Sequence, residues 1–301
     1  MTNYSPNVLI TGGKGQLATA IANHPRASEL NLIICSKAEL DICQPASIQQ
    51  ALAHYLPDVI VNTAAYTAVD KAEEEVSLAD HINHIGAGQL ALACHKNQIK
   101  LLHLSTDYIF DGNKNGKYLE DDEANPINIY GKSKWQAELA IREACPNHVI
   151  LRVSGVFSEY GTNFLKTILK LARERTSLRV VSDQMTCPTY ADDIADAIIT
   201  MCQAPTHKGT YHFCSEEAVS WHDFATVVIT DAAQYETLAA DEVQAITTAD
   251  HPTAAKRPPC SVLDCQKINT TYHIKQPSWR TAVSKVVAKL AREKANDTSA
   301  Q

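Results

Sequence analysis

Tyr130 and Lys134 stand four residues apart in Tyr130-Gly131-Lys132-Ser133-Lys134, and Ser105-Thr106-Asp107 ends a short apolar run upstream of them. On a helix, residues four apart share one face. A phenol placed there can give or take a proton, while a neighbouring ammonium stabilises the phenolate and holds a ribose. The Thr106 hydroxyl can join them as a second hydrogen-bonding group. Most tyrosine and lysine pairs at this spacing are solvated neighbours on a helix surface, so the pair gains weight only from a second site in the same domain.

That site is Val8-Leu9-Ile10-Thr11-Gly12-Gly13-Lys14-Gly15-Gln16-Leu17-Ala18. It reads as G-x-x-G-x-x-A from Gly12 and as G-x-G-x-x-A from Gly13, with a strand pattern before it and a helical pattern after it. The glycines permit a tight turn and let backbone amides approach a pyrophosphate, and the small Ala18 lets the helix lie close to the sheet. A second apolar run ends at Ser36-Lys37, where an acid would be expected if the ligand were the ribose 2′-hydroxyl of NAD. A hydroxyl and a cation suit the 2′-phosphate of NADPH better, with NADH still open because Asp41 follows shortly. A third run leads into Asn62-Thr63-Ala64-Ala65-Tyr66, whose alanines can admit a flat ring at the edge where open α/β sheets bind ligands.

The elements that must position these groups follow from the apolar spacing. Val8 to Thr11, Leu32 to Cys35, Val59 to Asn62, Leu101 to Leu104 and Val149 to Arg152 are short apolar runs, separated by helical patterns such as Ile48 to Tyr55 and Leu90 to His95. This alternation predicts parallel strands buried on both faces. The fold class is therefore α/β, a Rossmann-type doubly wound parallel sheet with a smaller, interwoven α/β substrate domain. Residues 1–155 are expected to form the nucleotide-binding part, with segments near 190–202 and 215–232 returning to it, and 156–294 mainly the substrate part. A final amphipathic helix is expected from about Arg280 to Lys294, followed by a disordered tail over 295–301.

Composition excludes several other classes. The 301 residues are 45% hydrophobic and 20% charged, which is ordinary globular usage with room for two domains. A net charge of −7 argues against nucleic acid as a partner. No apolar run is long enough to span a bilayer, and the first residues lack a basic stretch followed by an apolar core. The nine cysteines contain no C-x-x-C, which points to a reducing cytoplasmic setting with thiols used as small buried apolar groups.

Longer motifs narrow the reading. Asp58 to Glu73, Ser105-Thr106-Asp107-Tyr108-Ile109-Phe110-Asp111-Gly112, the Tyr130 to Lys134 run, Asp183-Gln184, Cys187-Pro188-Thr189, Arg257-Pro258 and Ser261-Val262-Leu263-Asp264 together resemble the dTDP-4-dehydrorhamnose reductases. These are a branch of the extended short-chain dehydrogenases and reductases, and the resemblance runs from about residue 7 to 292. It implies NAD(P)H-dependent reduction of the 4-keto group of dTDP-4-dehydro-6-deoxy-L-mannose to dTDP-L-rhamnose. Tyr130 would supply the proton, Lys134 lower the phenol pKa, and Thr106 act as a second donor. By the same resemblance Gly15, Gln16 and Leu17 approach the pyrophosphate, Asp41 and Ile42 flank the adenine, Ala64, Ala65 and Tyr66 lie along the cofactor, and Thr106 and Asp107 face the sugar. A homodimer is left open.

Three positions depart from the family pattern. Gly155 stands where a tryptophan is common, Cys260 where an asparagine is, and Ala20 where some members have an acid that binds a bridging metal, so no metal is expected. Glycine at 155 predicts a more open sugar pocket, its volume left to water, to Phe157 or Tyr160, or to a bulkier substrate. Other readings to be separated are a different nucleotide-sugar 4-keto reductase or epimerase, and a non-catalytic NADP-binding regulatory subunit.

Overall fold

The computed structural model describes residues 5–204 and 206–299. Six strands form one parallel sheet in the order Gly209–Phe213, His148–Val153, Lys100–Thr106, Val59–Asn62, Asn7–Thr11, Asn31–Ile34. Successive residues of each strand go to opposite faces: Val8 and Ile10 join one apolar cluster and Leu9 the other, and Val59 and Val61 separate from Ile60 in the same way. Helices Gln16–Asn23 and Ala191–Cys202 cover the first face; Pro45–Tyr55, Ala87–Lys96 and Ile129–Ala144 cover the second. Both faces being covered is why the strands read as unbroken apolar runs. The strand order reverses between Asn7–Thr11 and Val59–Asn62, which opens a crevice at their carboxyl ends.

Local chemistry fixes the helix that carries Tyr130 and Lys134. The Asn128 side-chain oxygen accepts the Gly131 N–H at 2.7 Å, and its amide nitrogen donates to the Lys256 carbonyl at 2.8 Å. This is an N-cap that also ties the helix start to a distant loop. A Cβ on Gly131 would overlap the Tyr108 carbonyl oxygen, so the helix can press against that turn only with glycine there. Across from it, the helical stretch from Val76 to Lys96 contains a π turn over His81–Gly86. Asn83 on that turn accepts the Tyr66 N–H at 2.8 Å and donates to the Tyr66 carbonyl at 3.0 Å and to Ser133 Oγ at 2.9 Å. The wider turn thus clamps the loop after the third strand onto the Tyr130 helix.

The smaller part surrounds Phe157, Leu165, Leu178, Phe224, Trp279 and Val283. Strands Ser177–Val181 and Glu242–Ile246 pair in parallel there, flanked by helices Phe164–Glu174, Trp221–Ala232 and Trp279–Ser299. Two sequence expectations are corrected. The segment near 215–232 does not return to the large sheet, because Phe224, Ala225 and Val228 bury against helices Phe164–Glu174 and Trp279–Ser299. Helix Trp279–Ser299 continues past Lys294 through five residues assigned to a disordered tail; it contains no Gly or Pro and is rich in Ala, Lys and Arg. The last two residues of that expected tail lie outside the described residues. All nine cysteines are free thiols, eight buried and Cys260 half-buried. Among the described residues no helix is long and apolar enough to cross a membrane.

Candidate active site

Tyr130, Lys134 and Glu138 follow one another at helical spacing and face strand Lys100–Thr106. Lys134 is 2% exposed; its Nζ donates to the Leu104 carbonyl at 2.5 Å and lies 3.2 Å from His103 Nε2. Burial lowers its pKa to about 8, against the opposing charge of Glu138. Tyr130 is half-buried, and desolvation pushes its phenol up to about 12; a hydrogen bond with Thr106 opposes this and the charge of Asp107 adds to it. The Lys134 Nζ is turned toward the strand carbonyl and His103.

Thr106 Oγ1 accepts the Tyr108 N–H at 3.1 Å and donates to Asp107 Oδ1 at 3.1 Å. Its hydroxyl proton is therefore held by Asp107 in this state. The other Asp107 oxygen accepts Ser154 Oγ at 2.9 Å and Ser261 Oγ at 2.5 Å. Burial raises the Asp107 pKa, and the three hydroxyl donors pull it back.

A cavity of about 580 Å³ runs along the crevice at the switch point. Gly12, Gly15, Gln16 and Leu17 line one end, Lys37, Asp41 and Ile42 a second side, and Ala64, Ala65, Tyr130 and Lys134 the rest. Gly12 has φ +71°, and a Cβ there would sit 2.9 Å from Ala64 Cα, so this turn is built for glycine. Helix Gln16–Asn23 starts at Gly15 with no side-chain cap, which leaves its first N–H groups for an anionic ligand. Two expected residues do not line this cavity. The Tyr66 phenol swings away to donate to Glu75 Oε2 at 2.6 Å. Ser36 borders only an adjoining recess with Lys14, Lys37, Ala38 and Asp41, and its N–H donates to Glu39 Oε2 at 2.7 Å.

A second chamber, about 740 Å³, shares Gln16, Ser105, Tyr130, Val153 and Val156 with the first. Thr106, Asp107 and Gly155 line it. So do Asp70, Tyr108 and Arg257, with the Arg257 guanidinium 2.6 Å from the Asp70 carboxylate. Phe164 and Trp221 form an aromatic wall, their ring centroids 4.6 Å apart and tilted by 51°. Tyr130 lines both chambers.

A family model described as the RmlD substrate binding domain matches residues 6–292. A curated relative, dTDP-4-dehydrorhamnose reductase of Aggregatibacter actinomycetemcomitans, is 42% identical across 93% of this chain and 98% of its own length. The chain belongs to the dTDP-4-dehydrorhamnose reductase family. The same-named protein of Sinorhizobium fredii is 37% identical over 94% of this chain and 97% of its own length. A solved dTDP-4-dehydrorhamnose reductase of Bacillus anthracis in complex with NADP superposes with a TM-score of 0.89 at 33% identity, covering 95% of this chain and 100% of that one.

Within this reductase family frame, the residues that sequence reasoning missed fall into two groups. Lys14 was in plain view inside the glycine loop, and Asp70 and Arg257 sat in quoted motifs without a role. Glu39, Asn83, Phe164 and Trp221 carried no local pattern that set them apart. Gly155 lines the outer chamber. Neither Phe157 nor Tyr160 fills the missing tryptophan's place: Phe157 is buried in the smaller part's core and Tyr160 packs under Lys289. The aromatic surface comes from Trp221 and Phe164 instead.

Gly155 has φ +52°, and a Cβ there would meet Pro188 Cα at 3.1 Å. A larger residue therefore disturbs the backbone before it can reach a ligand. Gly155→Ala should lower stability by about 1 to 2 kcal/mol from the left-handed conformation, read as a shift in urea midpoint. An unchanged midpoint would remove the strain argument.

Proposed function

We propose that this chain reduces the 4-keto group of dTDP-4-dehydro-6-deoxy-L-mannose with NADPH, giving dTDP-L-rhamnose. One observation carries the reading: Tyr130 and Lys134 stand at the junction of a glycine-loop chamber and a polar, aromatic-walled chamber, in a chain of this reductase family. The first chamber fits a dinucleotide, because the Gly12 turn leaves no room for a side chain and the Gly15 helix start offers uncapped N–H groups. Gly15, Gln16 and Leu17 would hold the pyrophosphate, Asp41 and Ile42 the adenosine, and Ala64 and Ala65 the nicotinamide side. NADPH, when bound, supplies the hydride that reduces the keto carbon.

The chain's own groups do the rest. Tyr130 holds a proton at its phenol oxygen and gives it to the keto oxygen as negative charge develops there. Its raised pKa keeps the proton in place at neutral pH until that charge appears. Thr106, held by Asp107 and the Tyr108 N–H, fixes the hydroxyl that hydrogen-bonds the phenol. Lys134 contributes a fixed positive charge below pH about 8 and a hydrogen-bond donor for a ribose. Arg257, tethered by Asp70, offers the outer chamber a cation for the substrate diphosphate. Trp221 and Phe164 offer an aromatic face for the thymine ring or the apolar side of the sugar. The cytoplasm, where nucleotide sugars and NADPH are found, is the compartment this reading requires. Assembly as a homodimer belongs to the same reading, and sedimentation in solution decides it.

Tyr130→Phe keeps the ring and removes the proton, so kcat should fall by roughly 10²-fold or more, with NADPH affinity little changed; near wild-type turnover would reject Tyr130 as the donor. Because the Lys134 pKa is lowered from 10.5 to about 8, its charge is present below that pH and lost above it. The wild-type kcat/KM should accordingly decline as pH rises through about 8.

The coenzyme preference should be small. Lys37 is 77% exposed with Asp41 4.0 Å away, and Glu39 already occupies the Ser36 N–H that a 2′-phosphate would seek. NADPH should therefore exceed NADH by only roughly 5-fold in kcat/KM at low salt, less as salt rises. Glu39→Gln should widen the ratio by about 2- to 5-fold, the size of one exposed charge interaction. A ratio that does not respond to this change assigns Glu39 no part in coenzyme choice.

Trp221→Ala tests the aromatic wall. It should raise KM for the sugar nucleotide by about 10-fold, corresponding to loss of one ring contact, and leave NADPH binding alone. An unaltered KM would mean that the substrate does not touch this wall.

A further inference from the structure

A row of buried polar side chains runs through the large sheet beside the site and takes no part in the chemistry described above. Thr11, Asn62 and His103 lie on three neighbouring strands as register partners, Thr11 opposite Asn62 and Asn62 opposite His103. They are 0%, 1% and 1% exposed, and the row ends at the 2% exposed Lys134. Thr11 Oγ1 to Asn62 Oδ1 is 2.6 Å, Asn62 Nδ2 to His103 Nδ1 is 3.0 Å, and His103 Nε2 to Lys134 Nζ is 3.2 Å. Polar groups buried this deeply need a consistent set of donors and acceptors. The row can be traversed in two opposite directions, each pairing a donor with an acceptor at every contact.

A neutral imidazole has one N–H and one lone pair. Burial, Lys134 and His148 all hold His103 well below the usual histidine range, so it stays neutral. When Lys134 is an ammonium, His103 Nε2 must offer its lone pair. The ring proton then sits on Nδ1 and donates to the Asn62 amide oxygen, and the amide nitrogen faces Thr11 Oγ1. When Lys134 is an amine, Nζ gains a lone pair to which Nε2–H can donate. Nδ1 then accepts from Asn62 Nδ2, and Asn62 Oδ1 accepts the Thr11 hydroxyl. A half-turn of one amide separates the two sets without moving other heavy atoms. One proton leaves Lys134 for solvent, and Thr11, Asn62 and His103 stay uncharged in both states.

We propose that His103 is a positioning residue for Lys134, and that the Thr11, Asn62 and His103 row reverses its hydrogen-bond direction when Lys134 gains or loses its proton. In the charged state the Leu104 carbonyl and His103 Nε2 take two of the three ammonium N–H groups, which leaves one for the cofactor chamber that Lys134 lines. The other charges nearby do not replace this partner. Glu138, paired with Arg152 and Arg142 and bonded to Ser105, acts on Lys134 only through space. His148 acts on the His103 ring in the same way, while Asp107 acts on Tyr130. Thr11 carries the row to the chamber floor, where its Oγ1 accepts the Ala64 N–H at 3.2 Å.

The consequence for coenzyme binding rests on the reductase reading, whereas the tautomer switch does not, so the decisive test is made on the unliganded wild-type protein. ¹⁵N-histidine NMR from about pH 6.5 to 9.5 should show His103 as the Nδ1–H tautomer at the low end and as Nε2–H at the high end, never as imidazolium. His103→Gln supplies the assignment. A single His103 tautomer across that range overturns the proposal, whatever the enzyme's activity. In turnover, His103→Leu removes the acceptor and should move the alkaline limb of kcat/KM down by about one pH unit. His103→Gln, whose amide oxygen can accept, should return it to within a few tenths of a unit. A limb unmoved in folded His103→Leu also overturns the proposal. Should His103→Leu fail to fold, the wild-type NMR decides alone. A tautomer switch in a protein inactive on the sugar nucleotide would support this proposal and reject the reductase reading.

Discussion

The buried pair between Glu138 and Arg152 is the constraint on which the rest of the site depends. Both side chains are within 1% of complete burial, and the Glu138 oxygens accept Arg152 Nε at 2.9 Å and Nη2 at 2.7 Å. Ser105 Oγ at 2.5 Å and Arg142 Nη2 at 2.6 Å complete the carboxylate's partners. Desolvation alone would raise the Glu138 pKa, but these donors hold it below the usual carboxylate range. Arg152 in turn donates to the Glu120 carbonyl at 3.0 Å and lies over the Phe110 ring. Losing one member of such a pair leaves the other buried and uncompensated, at a cost of about 3 to 5 kcal/mol. Because Tyr130, Lys134 and Glu138 share a helical face, fixing Glu138 against two strands fixes the rotation of the whole helix about its axis. The phenol and ammonium positions follow from it.

A second buried carboxylate does for the substrate side what Glu138 does for the helix. Asp107 collects hydroxyls from Thr106 at the end of one strand, from Ser154 just after the next, and from Ser261 far along the chain. Ser154 also reaches Thr186 at 2.9 Å, in the short strand Met185–Thr186 beside Gly155. Three segments distant in sequence are thereby pinned at one carboxylate that borders the outer chamber. The Tyr130 phenol feels that charge as an upward push, so the same contact that assembles the chamber also keeps the proton on the phenol.

How much of this was legible in the sequence depends on how local each cause is. The sheet was legible because strands covered on both faces must be apolar at every position, and the glycine loop because a left-handed Gly12 against Ala64 tolerates no side chain. The spacing of Tyr130 and Lys134 was legible for the same reason, as a property of one helix. Helix Trp221–Ala232 shows the limit: its apolar stripe is plain, yet periodicity says that a face is buried and not which layer buries it. Tyr66 and Ser36 lie off the main cavity because Glu75 and Glu39, each only a few residues on, hold their phenol and N–H. The π turn that aims Asn83 at Tyr66 has no sequence pattern distinct from the helices on either side of it.

The two chambers differ in what recognises the ligand, and this bears on how specificity can vary. The first is shaped mainly by backbone, through the Gly12 turn, the uncapped helix start and the small Ala64 and Ala65, so most substitutions there damage the fold of the loop itself. The second is shaped by side chains of Asp70, Tyr108, Phe164, Trp221 and Arg257, drawn from separate segments and supported by a core of their own. Those side chains can change while the Glu138 pair and the Asp107 hydroxyls keep Tyr130 in place. The chain's net charge of −7 sharpens the contrast, since an anionic ligand depends on the few cations that line the chambers, Lys14, Lys37, Lys134 and Arg257. Attraction of a charged nucleotide in such a molecule is a local property of the cleft, screened within about 8 to 10 Å at ordinary salt. It acts once the ligand has reached the mouth and does little to steer it there.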